Sequence, residues 1–87
     1  RMTVGEILEK RIRTLCKERD ISITTLALMS GLPHSTLDNI VNGRSQNPGF
    51  KTLMYIANAL SMTPAELVDI PEINDYLKDG EPDSDDI

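Results

Sequence analysis

Residues 22–48 have the sequence SITTLALMSGLPHSTLDNIVNGRSQNP, and most of the fold follows from them. Ser22 is a residue type that caps helix N-termini, so it predicts a short helix over residues 23–30. Gly31 follows where the chain must bend, because glycine adopts the left-handed backbone of a helix end without strain. The first half of the stretch is therefore a short helix and a tight turn, after which Leu32 points back to the core.

A second helix is predicted to begin near Pro33, whose fixed φ suits the first position of a helix. The Asn42-Gly43 pair then ends it as a left-handed cap. Between these signals, the apolar residues at helical spacing are Leu37, Ile40 and Val41. Two helices joined by a short glycine-containing turn form the arrangement that places the second helix in a DNA major groove. The stretch thus predicts a helix-turn-helix and DNA binding.

The flanking sequence predicts further helices. Residues 3–6 and 63–66 each fit a capping box, a signal that opens a helix. Apolar residues at helical spacing extend the first helix over about residues 4–19. Pro48-Gly49 opens another helix, whose apolar stripe is Leu53, Ile56, Ala57 and Leu60. No stretch has strand spacing, so we expect an all-α fold of five helices.

The composition changes after Ile70-Pro71, which ends the fifth helix. We assign residues 3–70 to the DNA-binding domain and residues 71–87 to a C-terminal extension. Residues 72–78 are expected to form one or two further helical turns. From Asp79 onward the sequence DGEPDSDD is acidic and nearly free of apolar residues, which predicts a short acidic tail without a fixed structure.

The chain has 87 residues, 39% of them apolar, with no Trp, one Phe and two Tyr. It therefore fits one small domain with an aliphatic core, to which we expect Met29, Met54 and Met62 to contribute. The only cysteine, Cys16, lies on an apolar helix face and is expected to be a buried hydrophobe in a reducing compartment. No signal peptide is visible, and no apolar run approaches the roughly 20 residues of a membrane span, so we expect a soluble, cytoplasmic protein.

The net charge of −5 and the pI near 4.6 are opposite to the basic character usual for DNA-binding domains. The charge is unevenly distributed, however. Residues 1–60 contain eight Lys/Arg and five Asp/Glu, a net +3, whereas residues 61–87 contain one Lys and nine Asp/Glu, a net −8. Because salt screens exposed charges beyond a Debye length of about 8 Å, a duplex should respond mainly to the basic part of the chain.

In their order and spacing, these elements resemble the Xre/Cro family of phage-repressor-like helix-turn-helix transcriptional regulators. The resemblance covers about residues 5–68, and its matching pieces are Leu26-Ala27, Gly31, Ser35-Thr36-Leu37, Asn42-Gly43, Pro48 and the stripe from Leu53 to Leu60. It implies a five-helix lambda-repressor-like domain that binds double-stranded DNA as a homodimer, without a cofactor. It also implies a transcriptional repressor that uses helix 3 in the major groove.

Some positions depart from the family pattern. Ile23 replaces a Gln that commonly touches DNA, and Pro33 replaces the Ser or Thr that usually caps helix 3. Val41 and Cys16 stand where the family often has a glutamate and an arginine. This last exchange replaces a buried ion pair with an apolar contact, which can be neutral or stabilising.

The side of helix 3 opposite its core residues is expected to contact DNA bases through His34, Ser35, Asp38 and Asn39. Asn39 is the strongest candidate, because its amide can bond adenine N6 and N7 together. Phosphates would repel Asp38, so it would act by accepting from a cytosine amine or by excluding wrong sequences. His34 is the only histidine and does not support a His/Cys metal site.

Phosphate contacts are predicted from residues around the two helices: Ser22, Thr24, Thr36, Arg44, Ser45, Gln46, Asn47 and Lys51. Ser22 and Thr24 lie near the helix 2 N-terminus, where backbone amides favour an anion. Arg44 can hold phosphate oxygens in bidentate fashion. The family resemblance also implies a phosphate-facing backbone amide near Phe50. Each polar side chain could alternatively be a cap or an ordinary surface residue.

Helix 5 and the residues after it carry more apolar side chains than a five-helix core requires. We expect a homodimer interface formed by Leu67, Ile70, Ile73, Tyr76 and Leu77. Two copies would then dock on half-sites about one helical turn apart, as is usual for helix-turn-helix dimers.

Two alternatives keep the same fold. One is a protein-interaction module that has lost DNA binding, with its acidic segment occupying the basic face or mimicking DNA toward another protein. The other is the antitoxin half of a toxin–antitoxin pair. An enzyme is not predicted, because the sequence has no phosphate-cradling glycine loop, no metal-spaced His/Cys cluster and no nucleophile–base pairing.

Overall fold

The computed structural model describes residues 1–78, and the predicted acidic tail lies outside the described residues. The helices are α1 (Val4–Glu18), α2 (Ile23–Ser30), α3 (His34–Val41), α4 (Phe50–Ala59), α5 (Pro64–Val68) and α6 (Pro71–Asn74). Residues 1–78 contain no strand, so the all-α prediction is confirmed. The short α6 adds to the five predicted helices, in the segment that was expected to form further helical turns.

Local capping signals explain where α1 and α5 begin. The Thr3 hydroxyl accepts from the Glu6 amide at 3.1 Å, while the Glu6 carboxylate accepts from the Thr3 amide at 2.9 Å. Thr63 and Glu66 repeat this reciprocal pair at 3.0 and 2.8 Å. The hydrogen bonds from the Thr63 backbone and side chain lower the pKa of the Glu66 carboxyl. Both predicted capping boxes are confirmed.

Gly31 and Pro33 build the turn between α2 and α3. Gly31 has a left-handed backbone with a φ of 73°, and its amide donates to the Leu28 carbonyl at 3.3 Å. Pro33 is extended, with a ψ of 140°, so α3 begins one residue later at His34 rather than at the proline. Because proline has no side-chain acceptor, no side chain caps the α3 N-terminus.

One aliphatic core joins α1 to α5. Its fully buried side chains are Ile12, Leu26, Leu37, Ile40, Ile56, Leu60 and Leu67. Cys16 and Val41 are buried in the same cluster, which agrees with the apolar replacement expected at these positions. Burial raises the pKa of the Cys16 thiol, against the opposing effect of the nearby Arg19 and Arg13. The thiol is therefore protonated at neutral pH and unsuited to nucleophilic chemistry.

Two of the three methionines expected in the core lie on the surface. Met62 packs against the core, but Met29 and Met54 are 52% and 47% exposed. The inward face of α2 consists of Leu26, Ala27 and Ser30. Helical geometry therefore turns Leu28 and Met29 outward, because a period of about 3.6 residues per turn puts positions 26, 27 and 30 on one side of the helix and positions 28 and 29 on the other. The prediction from residue type was wrong because it ignored the helix face.

Arginine side chains of α1 hold two other helices. Arg11 donates from Nε to the Leu67 carbonyl at 2.9 Å and from Nη2 to the Glu66 carbonyl at 3.0 Å. Arg13 donates to the Val41 carbonyl at the end of α3. These carbonyls lie in the last turns of their helices, where a guanidinium satisfies unpaired acceptors and complements the helix dipole. Part of the basic charge of residues 1–60 is thus engaged within the fold.

Candidate nucleic-acid interface

The outward face of α3 carries the four residues predicted to contact bases. The inward face consists of Leu37, Ile40 and Val41, all buried. His34, Ser35 and Asn39 are exposed, and Asp38 is half-buried. Because residues on opposite sides of a helix cannot both face the core, the buried positions leave these four on one accessible surface.

The N-termini of α2 and α3 meet beside this surface. Thr24 Oγ1 and His34 Nε2 lie 3.3 Å apart and share a hydrogen bond. Ser22 caps α2: its hydroxyl accepts from the Thr25 amide at 3.0 Å and donates to the Thr25 hydroxyl at 2.9 Å. Ser22 therefore has a structural role of its own. The capped N-terminus brings the positive end of the α2 dipole close to the start of α3.

A cleft of about 200 Å³ lies between α3 and the start of α4. The predicted contact residues that line it are Thr36, Asn39, Ser45 and Asn47. Gly49, the N-cap residue of α4, and Thr52 lie in the same cleft. The cleft therefore collects hydroxyl and amide groups beside a helix N-terminus, a combination that suits a phosphate oxygen.

Gln46 ties the loop after α3 to the start of α1. Its Oε1 accepts from the Thr3 hydroxyl at 2.9 Å, and its Nε2 donates to the Gly43 carbonyl. Gly5 permits this close approach, because a Cβ at Gly5 would lie 2.8 Å from Gln46 Cα and 3.1 Å from the Ser45 carbonyl oxygen. A phosphate contact by the Gln46 amide would require one of its present hydrogen bonds to be exchanged.

The two cations predicted to bind phosphate have different surroundings. The Arg44 side chain is 59% exposed, yet it is hydrogen-bonded to Asp38 at 2.7 Å and to Asn39 at 2.9 Å. Lys51 is exposed and lines another cleft, together with Met54 and Tyr55. Lys51 is therefore set apart from the cleft that collects the other predicted phosphate contacts.

The apolar surface available for a dimer is smaller than predicted. Leu67 is fully buried, and Tyr76 is 8% exposed with the Arg1 guanidinium 3.9 Å from its ring centroid. We remove both from the predicted interface, because α5 packs on α4 and the Tyr76 side chain is buried within one chain. Ile70 and Ile73 are half-buried, and Leu77 is 68% exposed.

Other site types find no support in residues 1–78. This part of the chain contains no group of three or more His, Cys, Asp or Glu residues placed to hold a metal ion. None of its helices combines the length and apolar character needed to cross a membrane. Every buried side-chain nitrogen or oxygen described here has a hydrogen-bond partner.

One protein-family model matches the chain, that of the Cro/C1-type HTH DNA-binding domain, over residues 11–72. The match covers more than half of the chain and includes the complete α2–α3 pair. The chain therefore belongs to the Cro/C1-type helix-turn-helix family, and its function class is DNA-binding regulation. The family resemblance inferred from the sequence is confirmed.

A solved structure shares this fold and is described as "Crystal structure of the prophage Lp1 protein 11". The two chains are 26% identical and superpose with a TM-score of 0.77, over 85% of this chain and 97% of that chain. No curated protein matches the chain.

Proposed function

We propose that this chain is a sequence-specific transcription regulator that places α3 in the DNA major groove. The exposed face of α3 carries the proposal: His34, Ser35 and Asn39 are accessible, while the opposite face is held in the core. A rigid helix with outward polar side chains can read base edges, because each base pair presents its own pattern of donors and acceptors in the major groove.

Two places beside α3 supply contacts to the DNA backbone. On one side, Thr24 and the α2 N-terminus lie next to His34. On the other side, the cleft between α3 and α4 offers Ser45 and Asn47 beside the α4 N-terminus. Hydroxyl, amide and helix-terminal groups position a protein on the duplex, whereas the base contacts specify the sequence.

Selection from a random duplex pool, followed by fluorescence anisotropy, tests this proposal. We expect the selected duplex to bind roughly a thousandfold more tightly than a scrambled one, with an affinity that falls as salt is added. Asn39→Ala should reduce this preference. The matched control is Asn58→Ala, which removes an exposed side-chain amide on α4 and should leave the preference unchanged. Equal weak binding to every duplex would contradict the proposal.

The regulator acts as a homodimeric repressor in this proposal. The surface that remains for self-association consists of Leu77 with the half-buried Ile70 and Ile73. Sedimentation equilibrium of Leu77→Glu should show dissociation, because a charge would face an apolar partner surface. Tyr55→Glu, at an exposed aromatic residue on α4, is the control and should leave the dimer intact. Loss of the dimer in the control alone would place the interface on α4.

Repression itself needs a transcription assay. A selected duplex placed over a promoter should lower reporter expression when the chain is present, because a bound protein excludes polymerase from the same DNA. The Asn39→Ala variant provides the matched control, since it changes a predicted base contact and no core residue. Increased expression would identify an activator instead.

The acidic segment after Lys78 modulates DNA binding in this proposal. Leu77 lines a cleft together with Asn47 and Val4, so the chain continues to residue 79 from a point beside the predicted phosphate-contacting loop. Residues 79–87 contain five Asp/Glu and no Lys/Arg. Negative charge near the duplex backbone weakens association, because like charges repel at short range.

A further inference from the structure

Arg44 bridges two successive residues of α3. Its Nη2 donates to Asp38 Oδ2 at 2.7 Å, and its Nε donates to Asn39 Oδ1 at 2.9 Å. Asn42 Nδ2 donates to the other carboxylate oxygen, Asp38 Oδ1, at 2.8 Å. The backbone reinforces this arrangement, since the amides of Arg44 and Ser45 both donate to the Asn39 carbonyl at 2.9 Å. The outward face of α3 therefore holds a connected network rather than independent side chains.

This network fixes the orientation of the Asn39 side-chain amide. A guanidinium only donates hydrogen bonds, so the Asn39 atom that faces Arg44 is the oxygen Oδ1. The amide nitrogen Nδ2 makes no hydrogen bond to any residue between 1 and 78, and the oxygen retains a second lone pair. Asn39 thus offers DNA the donor Nδ2 in a fixed orientation, with one remaining acceptor site on Oδ1 beside it.

Asp38 keeps the guanidinium in this position. Both of its carboxylate oxygens are occupied, one by Asn42 and one by Arg44. These two donors hold the carboxylate toward Asn42 and Arg44. Its negative charge is also compensated by Arg44, which explains how an acidic residue is accommodated on a helix that faces DNA phosphates.

We propose that Asp38 and Arg44 are positioning residues that set the base preference of Asn39, an inference that rests on the proposed placement of α3 in the major groove. In the fixed orientation, Asn39 pairs with adenine by donating from Nδ2 to N7 and accepting from the N6 amine. Guanine is disfavoured, because its O6 is itself an acceptor and meets the Asn39 Oδ1 acceptor. These roles replace the phosphate contact predicted for Arg44 and the base contact predicted for Asp38.

Base preferences of variants, measured by selection from a random duplex pool, test this proposal. Asn39→Ala first identifies the base pair that Asn39 contacts, as the position whose preference disappears. At that position, the unmodified chain should favour adenine over guanine by roughly 5- to 150-fold, the discrimination that a bidentate pair supplies. Arg44→Ala and Asp38→Ala should each lower this ratio several-fold at that position alone, because the amide can then rotate and donate from Nδ2 to guanine O6.

Arg44→Lys separates positioning from charge. Lysine retains the positive charge that a phosphate contact needs, but it lacks the planar fork that bridges two acceptors. A positioning role predicts that Arg44→Lys loses the adenine preference as Arg44→Ala does. Lys51→Ala is the matched control: it removes an exposed cation outside the network and should leave the ratio of adenine to guanine unchanged.

Two outcomes would overturn the proposal in different ways. If Arg44→Ala weakens binding equally for all duplexes and preserves the adenine preference, Arg44 is a phosphate contact and not a positioning residue. If the unmodified chain selects no duplex, the proposed major-groove function fails and the positioning role fails with it. Circular dichroism of each variant verifies the helical fold, which substitutions at these partly exposed positions should preserve.

Discussion

Residues of one type have different roles in this domain, and their contacts distinguish the roles. Arg11 holds carbonyls at the end of α5, whereas Arg44 holds side chains on α3. Gly31 is required for its left-handed φ of 73°, whereas Gly5 has an ordinary backbone and is required for space. In both pairs, the surroundings of a residue determine how much stability a substitution would remove.

Replacing Gly5 with alanine should destabilise the domain. The added Cβ would lie 2.8 Å from Gln46 Cα, and a backbone atom cannot move aside as the end of a flexible side chain can. We expect Gly5→Ala to lower the free energy of unfolding by about 1–3 kcal/mol, the usual cost of overpacking. Urea denaturation monitored by circular dichroism measures this change.

Gly49→Ala is the matched control for Gly5→Ala. A Cβ at Gly49 would meet no atom within 4 Å, and its φ of −64° suits any residue. The free energy of unfolding of the Gly49→Ala variant should differ from that of the unmodified chain by less than about 0.5 kcal/mol. Equal stability of the two variants would show that the loop does not press against α1 at Gly5.

Among the helices, α1 organises the others through side chains as well as through its apolar face. Arg11 reaches the end of α5, Arg13 reaches the end of α3, and the Thr3 hydroxyl bonds the loop residue Gln46. The position of α3, and with it the candidate DNA-binding surface, depends on these contacts. Substitutions in α1 that remove these contacts should therefore weaken DNA binding, even though the substituted side chains do not themselves contact DNA.

Arg11→Met should destabilise the attachment of α5. The substitution removes two charge-assisted hydrogen bonds to the Glu66 and Leu67 carbonyls but retains an apolar side chain of similar length. We expect a loss of about 1–2 kcal/mol, the range for a partly exposed cation at a helix C-terminus. Thermal unfolding should show a melting temperature lower by roughly 4–8 °C per kcal/mol.

Lys10→Met is the control for Arg11→Met, because it removes the same charge from an exposed neighbouring position. Its melting temperature should remain close to that of the unmodified chain. If both substitutions lower the melting temperature equally, the loss of positive charge on α1 explains the effect and the hydrogen bonds do not.

Helix boundaries were predictable from sequence because their signals are local. The first helix, predicted over residues 4–19, spans Val4–Glu18, and the second, predicted over residues 23–30, spans Ile23–Ser30. Capping residues and apolar spacing act within a few positions of the helix end that they define. Leu67 and Tyr76 were assigned to a dimer interface although both are buried, because local spacing does not report which apolar side chains the rest of the chain covers.

The candidate site, like the helices, was predictable from sequence only where the signals are local. The outward face of α3 followed from helical geometry, since fixing the buried residues fixes the exposed ones. The bridge from Arg44 to Asp38 and Asn39 could not be predicted from helical geometry, because it depends on the path of the loop that follows α3. The cap that Arg11 forms on α5 joins residues 55 and 56 positions apart and had no local signal.

Across the whole chain, charge is divided between residues 1–78, which are neutral overall, and residues 79–87, which are acidic. Residues 1–78 contain nine Lys/Arg and nine Asp/Glu, and residues 79–87 contain five Asp/Glu without a cation. Arg11 and Arg13 are further engaged with helix carbonyls. Residues 1–78 therefore offer DNA little net attraction, so the proposed function attributes the specificity of binding to hydrogen bonds from α3.

Removing residues 79–87 should strengthen DNA binding. Deletion of the five negative charges that follow Lys78 should raise affinity roughly three- to tenfold at low salt, because exposed charges act over a Debye length of about 10 Å at 0.1 M. Fluorescence anisotropy at several salt concentrations should show the gain shrinking as salt rises. A full-length variant with each of these acids changed to its amide should reproduce the gain, and unchanged affinity in both would exclude modulation by the tail.

A nuclear magnetic resonance titration of the nitrogen-15-labelled chain with its selected duplex locates the DNA-binding surface residue by residue. We predict the largest amide shifts at His34, Ser35 and Asn39 on α3 and at Asn47 in the following loop. Amides of α4 around Met54 should change little. Shifts concentrated on α4, with α3 unchanged, would contradict binding through the helix-turn-helix.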